Sequence, residues 1–585
     1  MNALRPFARR LALALESRPL LLGRRRFLLL GLAAGAAGCS RRAETGAVQP
    51  PTMPRHADAV VRGGTIVTLD PGRPRVEALA VAGGVVVAVG GDDEIREWVG
   101  PSTRILDLEG GTATPGLVDA HAHLVGLGHS LQQVDLRGAT SIDAVVERLR
   151  EHAPPTGWIT GRGWDQNLWP GGAMPTHEPL TRAFPDRPVW LRRVDGHAGW
   201  ANLASLERAG IGRDTAAPNG GEILRDVEGN PTGVLVDAAM SLVSVPPAGP
   251  AEIRRAILDG QAHAAQRGLT GVHEMGIGPE EDAAYRELAA SRDPDSSLRM
   301  RVHAYAHEGW FREGLSESNP DPIRAEARYL LAGVKVYADG ALGSRGAALL
   351  DPYADRPTHR GLMQHDPETL YELVHAAVSG RWQVATHAIG DAANRAVLDA
   401  YARALADVSA GPDARLRIEH CQIVHPDDIE RFAALGVIAS MQPTHATSDM
   451  AWVPERIGND RLAGAYAWRR FLDAGVTLAF GSDFPVELVD VTHGLYAAVT
   501  RQTADGHPVG GWLPDQRLDL LEAIGGFTTG AARAAHRETH LGRLALGYRA
   551  DLTCFGEAID TLEPSALRTT RIRGTLIDGE AVYWA

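Results

Sequence analysis

At 585 residues, the chain is long enough for one large domain and a smaller one. Its composition, 44% hydrophobic and 22% charged, is that of a soluble globular protein, and three cysteines (Cys39, Cys421 and Cys554) can build neither a disulfide framework nor a CxxC zinc site. The net charge of −13 is uneven: residues 1–38 carry +6, which leaves −19 on the rest and argues against a nucleic-acid partner.

The first element is an address. Arg24-Arg25-Arg26-Phe27-Leu28-Leu29 precedes an apolar run from Leu30 to Ala37, then Gly38-Cys39-Ser40. A basic start, a short apolar stretch and small residues make residues 1–38 a secretory signal. The Arg-Arg-x-Phe-Leu order resembles a twin-arginine export signal, and Ala36-Ala37-Gly38-Cys39 resembles a lipobox in which Ala36 stands where leucine is usual. The apolar run, about 11 residues, is too short for a membrane span, which needs roughly 20. The expected location is the periplasm or another extracytoplasmic compartment, with membrane contact only through a lipid on Cys39. Residues 39–56, rich in Arg, Pro and small residues, read as a tether.

From residue 57 to 114 the chain is β-rich, with short strands at Ala59–Val61, Thr65–Leu69, Ala78–Val81, Val85–Val89 and Ile105–Asp107 between Gly and Pro turns. It is β-like again over 541–585, at Gly542–Leu544, Ala550–Phe555, Arg571–Ile577 and Ala581–Tyr583. Two β-rich ends around a different middle predict a small β-sandwich built from both termini. Residues 115–540 alternate short apolar strands with helical patterns, which predicts βα units and a parallel sheet. The strands are Pro115–His123, Leu269–Glu274, Arg301–Tyr305, Gly333–Asp339, Gln383–His387, Arg417–His420, Val437–Gln442 and Thr477–Asp483. Eight strands close a (β/α)8 TIM barrel. The first gap is too long for one helix, so an insertion occupies about 130–260, with a hairpin at Gly221–Leu235 around Glu228-Gly229-Asn230-Pro231.

Strand carboxyl ends form the active face of such a barrel. The first ends in His121-Ala122-His123, and alternation aims residues two apart to one side, toward one metal ion. The fifth ends in His387, the sixth in His420 and the eighth in Asp483. A lone histidine at a strand end is more often structural than a ligand, but their joint placement at four strand ends favours a metal site. His273 ends the second strand and His303 and His307 lie near the end of the third, and these read as pocket residues or supports.

Lys335, the chain's only lysine, falls in the fourth strand. A buried ammonium is costly, and everywhere else the chain uses Arg for a cation. A primary amine can deprotonate when buried and react with carbon dioxide to give a carbamate, a two-oxygen ligand. The expectation is a carboxylated Lys335 bridging two metals; the bland alternative is one surviving lysine in an Arg-biased chain.

With these residues placed, the chain is similar to members of the amidohydrolase superfamily. Pro115-Gly116-Leu117-Val118-Asp119-Ala120-His121-Ala122-His123 resembles its opening His-x-His motif. Gly163-Trp164-Asp165-Gln166, Asp195-Gly196-His197-Ala198, the run Asp339-Gly340-Ala341-Leu342-Gly343-Ser344-Arg345-Gly346-Ala347, Thr386-His387-Ala388-Ile389-Gly390-Asp391, Gln442-Pro443-Thr444-His445 and Gly481-Ser482-Asp483-Phe484-Pro485-Val486-Glu487 narrow the resemblance to amidohydrolase family 3, the N-substituted formamide deformylase-like branch, from about residue 57 to the C-terminus. The resemblance implies His121, His123 and Asp483 on one metal and His387 and His420 on the other, with carboxylated Lys335 between them. Zinc is the first expectation for the ions; manganese, iron and cobalt also suit such a donor set.

The implied reaction is hydrolysis of a C–N bond in an amide-like small molecule: an N-acyl or N-formyl amine, or a cyclic amide. A metal-bound hydroxide would attack, Asp483 would shuttle the proton, and His420 or His445 would orient the carbonyl. Trp164, Asp165, His197 and Arg345 are candidates for the substrate pocket; the structural alternative is that the first shapes a turn and Arg345 makes an ion pair. Competing functions are an esterase, lactonase or deaminase on the same centre, or a non-catalytic surface binding lipoprotein. Barrels of this kind are often homo-oligomers.

Overall fold

Eight apolar segments pair side by side, all parallel, in sequence order: β1 (Leu117–Ala122), β2 (Leu269–Ile277), β3 (Arg301–His307), β4 (Tyr329–Tyr337), β5 (Gln383–Ala388), β6 (Arg417–His420), β7 (Ile438–Met441) and β8 (Leu478–Phe480). These come from a computed structural model that describes residues 55–193, 198–218, 221–410 and 412–585. The leader, Cys39, most of the tether and His197 lie outside the described residues. The strands are apolar along most of their length because helices cover their outer faces, so both faces are buried. The helix after β5, Asp391–Asp407, shows how: Ala393, Val397, Ala400, Tyr401 and Ala404 recur at three- and four-residue steps and are all buried.

Between β8 and β1 the sheet is closed by other bonds. The Asp119 carboxylate accepts from Ser482 N (3.1 Å) and Ser482 Oγ (2.6 Å), Asp483 N donates to the His121 carbonyl (2.8 Å), and His123 N donates to the Phe484 carbonyl (2.9 Å). The approach is so close that a Cβ on Gly481 would stand 2.5 Å from His121 N, so glycine is required there. This seam sets Asp483 beside His121 and His123.

Two smaller sheets join the chain's ends. One runs Val85–Gly90, Ala78–Ala82, Ala59–Arg62, Arg104–Asp107; the other runs Glu580–Trp584, Ile572–Ile577, Leu552–Phe555, Thr112–Pro115, Thr65–Val67, Arg75–Val76. Thr112–Pro115 pairs antiparallel with Leu552–Phe555 and leads straight into β1. Val61, Ile66, Leu79, Leu552 and Leu576 fill the space between the sheets, as a sandwich requires. Gly542–Leu544 is not a strand; Leu544 bonds Thr68 through its backbone and buries its side chain in the same core.

The insertion between β1 and β2 carries a six-stranded sheet of its own, ordered Gly221–Arg225, Pro231–Asp237, Ala198–Ala201, Val189–Arg193, Ile159–Trp164, Val134–Asp135. Its first two strands are the expected hairpin, turned by Asp226, whose carboxylate accepts from Glu228 N and Asn230 N. Its core includes Trp164, Trp169 and Trp200.

Candidate metal centre

The cluster begins with β1. His121 Nδ1 lies 2.5 Å from Glu419 Oε2, and His123 Nδ1 lies 3.0 Å from the Met275 carbonyl oxygen. Each contact calls for a proton on Nδ1, which leaves the Nε2 lone pairs facing outward. Both point at one atom: Asp483 Oδ1 is 3.6 Å from His121 Nε2 and 3.1 Å from His123 Nε2. Acceptors that face acceptors repel unless a proton or a cation lies between them. The residues therefore fit a divalent metal ion, and three donors of mixed N and O type are the set such an ion takes.

Charges agree. Burial, helped by the Lys335 ammonium, pulls the His121 pKa down to about 4, so its ring is neutral. Burial pulls His123 down too, but the hydrogen bond to Asp483 and the charges of Asp483 and Glu274 together outweigh it and raise the pKa above the ordinary value: a proton fills the gap a cation would otherwise fill. Burial pushes the Asp483 carboxyl up, yet the His123 bond and the surrounding histidines hold it well below the usual carboxylate range.

A second group shares Asp483. His420, His445 and Asp483 bring one ligand atom each within 4.8 Å of one another, with His445 Nε2 3.9 Å from Asp483 Oδ2. Strand alternation would send His420 away from the face that Glu419 uses. Its left-handed backbone (φ 76°) ends the pleat, and its ring stands 4.7 Å from that of His121. Asp483 is also left-handed (φ 63°). Such positions cost about 1–3 kcal/mol each for a residue with a Cβ and persist where function over-determines them. His420 Nδ1 bonds Gln442 Oε1 (2.8 Å), and Gln422 Nε2 lies 3.3 Å from His445 Nδ1.

This geometry corrects the expectation of two divalent ions bridged by a carboxylated Lys335. The residue common to both ligand groups is Asp483. Its carboxylate already supplies two oxygens on opposite sides, Oδ1 toward His121 and His123 and Oδ2 toward His445. Lys335 is buried in β4 with its Nζ 5.0 Å from the centre of the Tyr337 ring, and belongs to neither group. Burial pushes its pKa down to about 8, although Glu419 and Asp483 pull the other way.

His387 joins neither group. Its ring centre is 4.6 Å from that of His420, and its buried Nε2, 3.4 Å from Asp339 Oδ1, makes no hydrogen bond. Asp339 braces the loops beneath it by accepting from Ala348, Ile389 and Gly390 N–H groups. Trp164 is fully buried in the insertion, where its Nε1 donates to the Leu191 carbonyl (3.0 Å). Asp165 pairs with Arg193 (3.1 Å), and Arg345 pairs with Asp355 (2.7 Å). His307 caps a short helix by accepting from Trp310 N, while His273 and His303 sit beside Arg417 and Tyr305.

Sequence reasoning passed over the support of His121. Arg417, wholly buried, donates to both Glu419 oxygens, to the Tyr305 hydroxyl, to His273 Nδ1, to Ser440 Oγ and to the Ala120 carbonyl. Burial pushes the Glu419 carboxyl up, but Arg417 and then His121 hold it far below the usual range. The available signal was two charges of opposite sign, two residues apart, in a four-residue strand. Glu274 is a second case; it accepts from Leu124 N and Val125 N where the chain leaves β1.

The sequence profile described as "Amidohydrolase family" matches residues 104–583. YtcJ of Bacillus subtilis is 34% identical over 539 residues, covering 90% of this chain and 99% of that protein. The N-substituted formamide deformylase of Arthrobacter pascens is 28% identical over 550 residues, covering 91% and 99%. Among solved structures, an uncharacterized metal-dependent hydrolase from Pyrococcus horikoshii superimposes with a TM-score of 0.72 at 29% identity, covering 86% of this chain and 99% of that one.

Proposed function

We propose that this chain, a metal-dependent hydrolase belonging to the amidohydrolase family, cleaves an amide-type C–N bond in an N-acyl amine, N-formyl amine or cyclic amide. One observation carries the reading: two histidine lone pairs converge on a carboxylate oxygen that is itself ionised. The near full-length similarity to a formamide deformylase supports the choice of bond.

In this reading His121, His123 and Asp483 would hold the metal, with His420 close beside them, and zinc is the expected ion. A divalent ion so held supplies Lewis acidity and lets water ionise near neutral pH, toward a pKa of about 7. The chain's own groups do the rest. Glu419 keeps the His121 proton on Nδ1, so Nε2 stays a ligand. Asp483 Oδ2, turned away from His121 and His123, receives the proton of the attacking water and passes it to the leaving nitrogen. His445, with Gln422 donating to Nδ1, keeps its proton on Nε2, and that N–H would hydrogen-bond the substrate carbonyl oxygen without giving up the proton. Purified protein would be assayed for amine release from N-formyl amines, N-acyl amines and cyclic amides, beside matched esters, with metal content measured on the same sample. Amine release that follows the metal content is expected. Turnover of esters alone would overturn the choice of bond.

The leader supports export, with Arg24-Arg25 read by the twin-arginine route and Cys39 lipidated. Fractionation tests it: Cys39→Ala should move the protein from the membrane to the extracytoplasmic soluble fraction.

A further inference from the structure

The opposite end of the barrel holds a second buried polar cluster that hydrolysis does not use. Where β1, β2 and β3 begin, a cavity of about 30 Å³ is bounded by Thr270, His273, Arg301, His303, Arg537 and Asp551, together with small apolar residues. Each of those six side chains is at least nine-tenths buried.

The charges there do not balance. Arg301 is paired twice, with Asp551 (2.5 Å) and with Asp578. Arg328 and Arg549 also bond Asp578, so three guanidinium groups share two carboxylates. Arg537 is a fourth, with no carboxylate partner among the described residues. Its Nη2 donates to the carbonyls of Arg324, Ala325 and Ala327, and its Nε is buried with no hydrogen bond. Arg301 Nη1 and both ring nitrogens of His303 are likewise buried and unbonded. An unmade hydrogen bond on a buried donor costs about 1–3 kcal/mol, more when the donor is charged. Water could satisfy the donors, but it leaves two surplus positive charges in a desolvated place. A single anion gives the unpaired donors an acceptor and offsets one of the two surplus charges. The size of the cavity limits the ligand, because one water-sized sphere needs about 10–15 Å³ of such space. That admits a halide and excludes a phosphate or an organic acid.

We propose that this cavity is a binding site for one small monovalent anion of halide size, held by Arg301 Nη1, Arg537 Nε and a ring N–H of His303. Asp551, which also lines the cavity, does not repel the anion strongly, because its two oxygens are both taken by the far side of Arg301. The cavity lies between β1–β3 and Asp551, the residue that enters the accessory strand Leu552–Phe555. A bound anion would therefore tie the sandwich to the barrel floor.

The test uses bromide as the probe. Crystals of the metal-loaded protein grown in sodium bromide should show an anomalous bromine peak between Arg301 and Arg537. In solution, melting temperature should rise saturably with bromide or chloride over sodium gluconate at matched ionic strength, on the order of 1–3 °C. Arg537→Gln, far from the metal centre in the fold, should abolish that dependence. No bromine peak in the cavity, with density there that refines as water, would overturn the proposal. So would identical melting curves in bromide and gluconate. The wild-type measurements decide the matter even if Arg537→Gln does not fold.

Discussion

The two ends of the barrel are built from the same strands yet carry opposite polar surpluses. At the carboxyl ends, ring lone pairs of His121 and His123 meet the Asp483 carboxylate, so acceptors outnumber donors and a cation is called for. At the amino ends, four guanidinium groups meet two carboxylates, and the unbonded atoms include Arg301 Nη1 and Arg537 Nε, so donors are in excess. Between them run Arg417 and Glu419, a matched pair with no surplus. A buried polar group left without a partner is expensive, so its sign states what should bind there.

The comparison is broken most directly at the upper end. Asp483→Asn keeps the size of the side chain but removes its charge and its proton acceptor. Turnover should fall by about 10²- to 10⁴-fold while circular dichroism is unchanged; near-normal kcat would end the proton-transfer role. Glu419→Gln, behind His121, should weaken metal binding by about 10- to 100-fold, because the anion that orients His121 is lost. It also leaves Arg417 buried without its carboxylate, so stability should drop by about 3–5 kcal/mol in denaturant titrations. Metal affinity equal to that of the parent would show that Glu419 serves the core alone.

At the lower end the expected effect is on stability and its pH dependence. Burial pushes the Asp551 carboxyl up, but Arg301 outweighs it and holds the folded pKa below the ordinary value. A depressed folded pKa adds stability above the unfolded carboxyl's value, about 3.9, and that stability is lost as pH falls through the lower folded value. Asp551→Asn should cost about 1.5–3 kcal/mol at neutral pH, with the two melting curves converging only as pH drops below about 4. A constant difference across that range would assign the loss to packing. The smallest effect is expected at Arg345, whose partly exposed pair with Asp355 is local. Arg345→Gln should leave KM unchanged, and a raised KM would return Arg345 to the substrate pocket.

How much of this was legible in the sequence depends on the range of the signal. Period and punctuation are local, so the eight barrel strands and the Gly221–Leu235 hairpin could be read directly, and the His-x-His spacing placed two ligands on one face of β1. The insertion's own sheet was missed apart from its hairpin. Its short strands leave sequence order at the hairpin, where Pro231–Asp237 and not Gly221–Arg225 pairs with Ala198–Ala201. Trp164 looked like a pocket residue because a loop motif carries no information about burial. Lys335 was over-read for a related reason: a rare residue type marks a special environment without saying what occupies it.

By itself, then, the sequence determined the barrel, the sandwich from both termini and the family, because each rests on periodicity or on motifs whose residues are neighbours in the chain. Only the tertiary structure decided which groups share a ligand. The φ values of His420 and Asp483 turn side chains against strand alternation, and the seam from Asp119 to Ser482 carries Asp483 across to β1. Asp483 thereby became the common residue of both ligand groups, a role set by contacts more than 350 positions apart that no local pattern encodes.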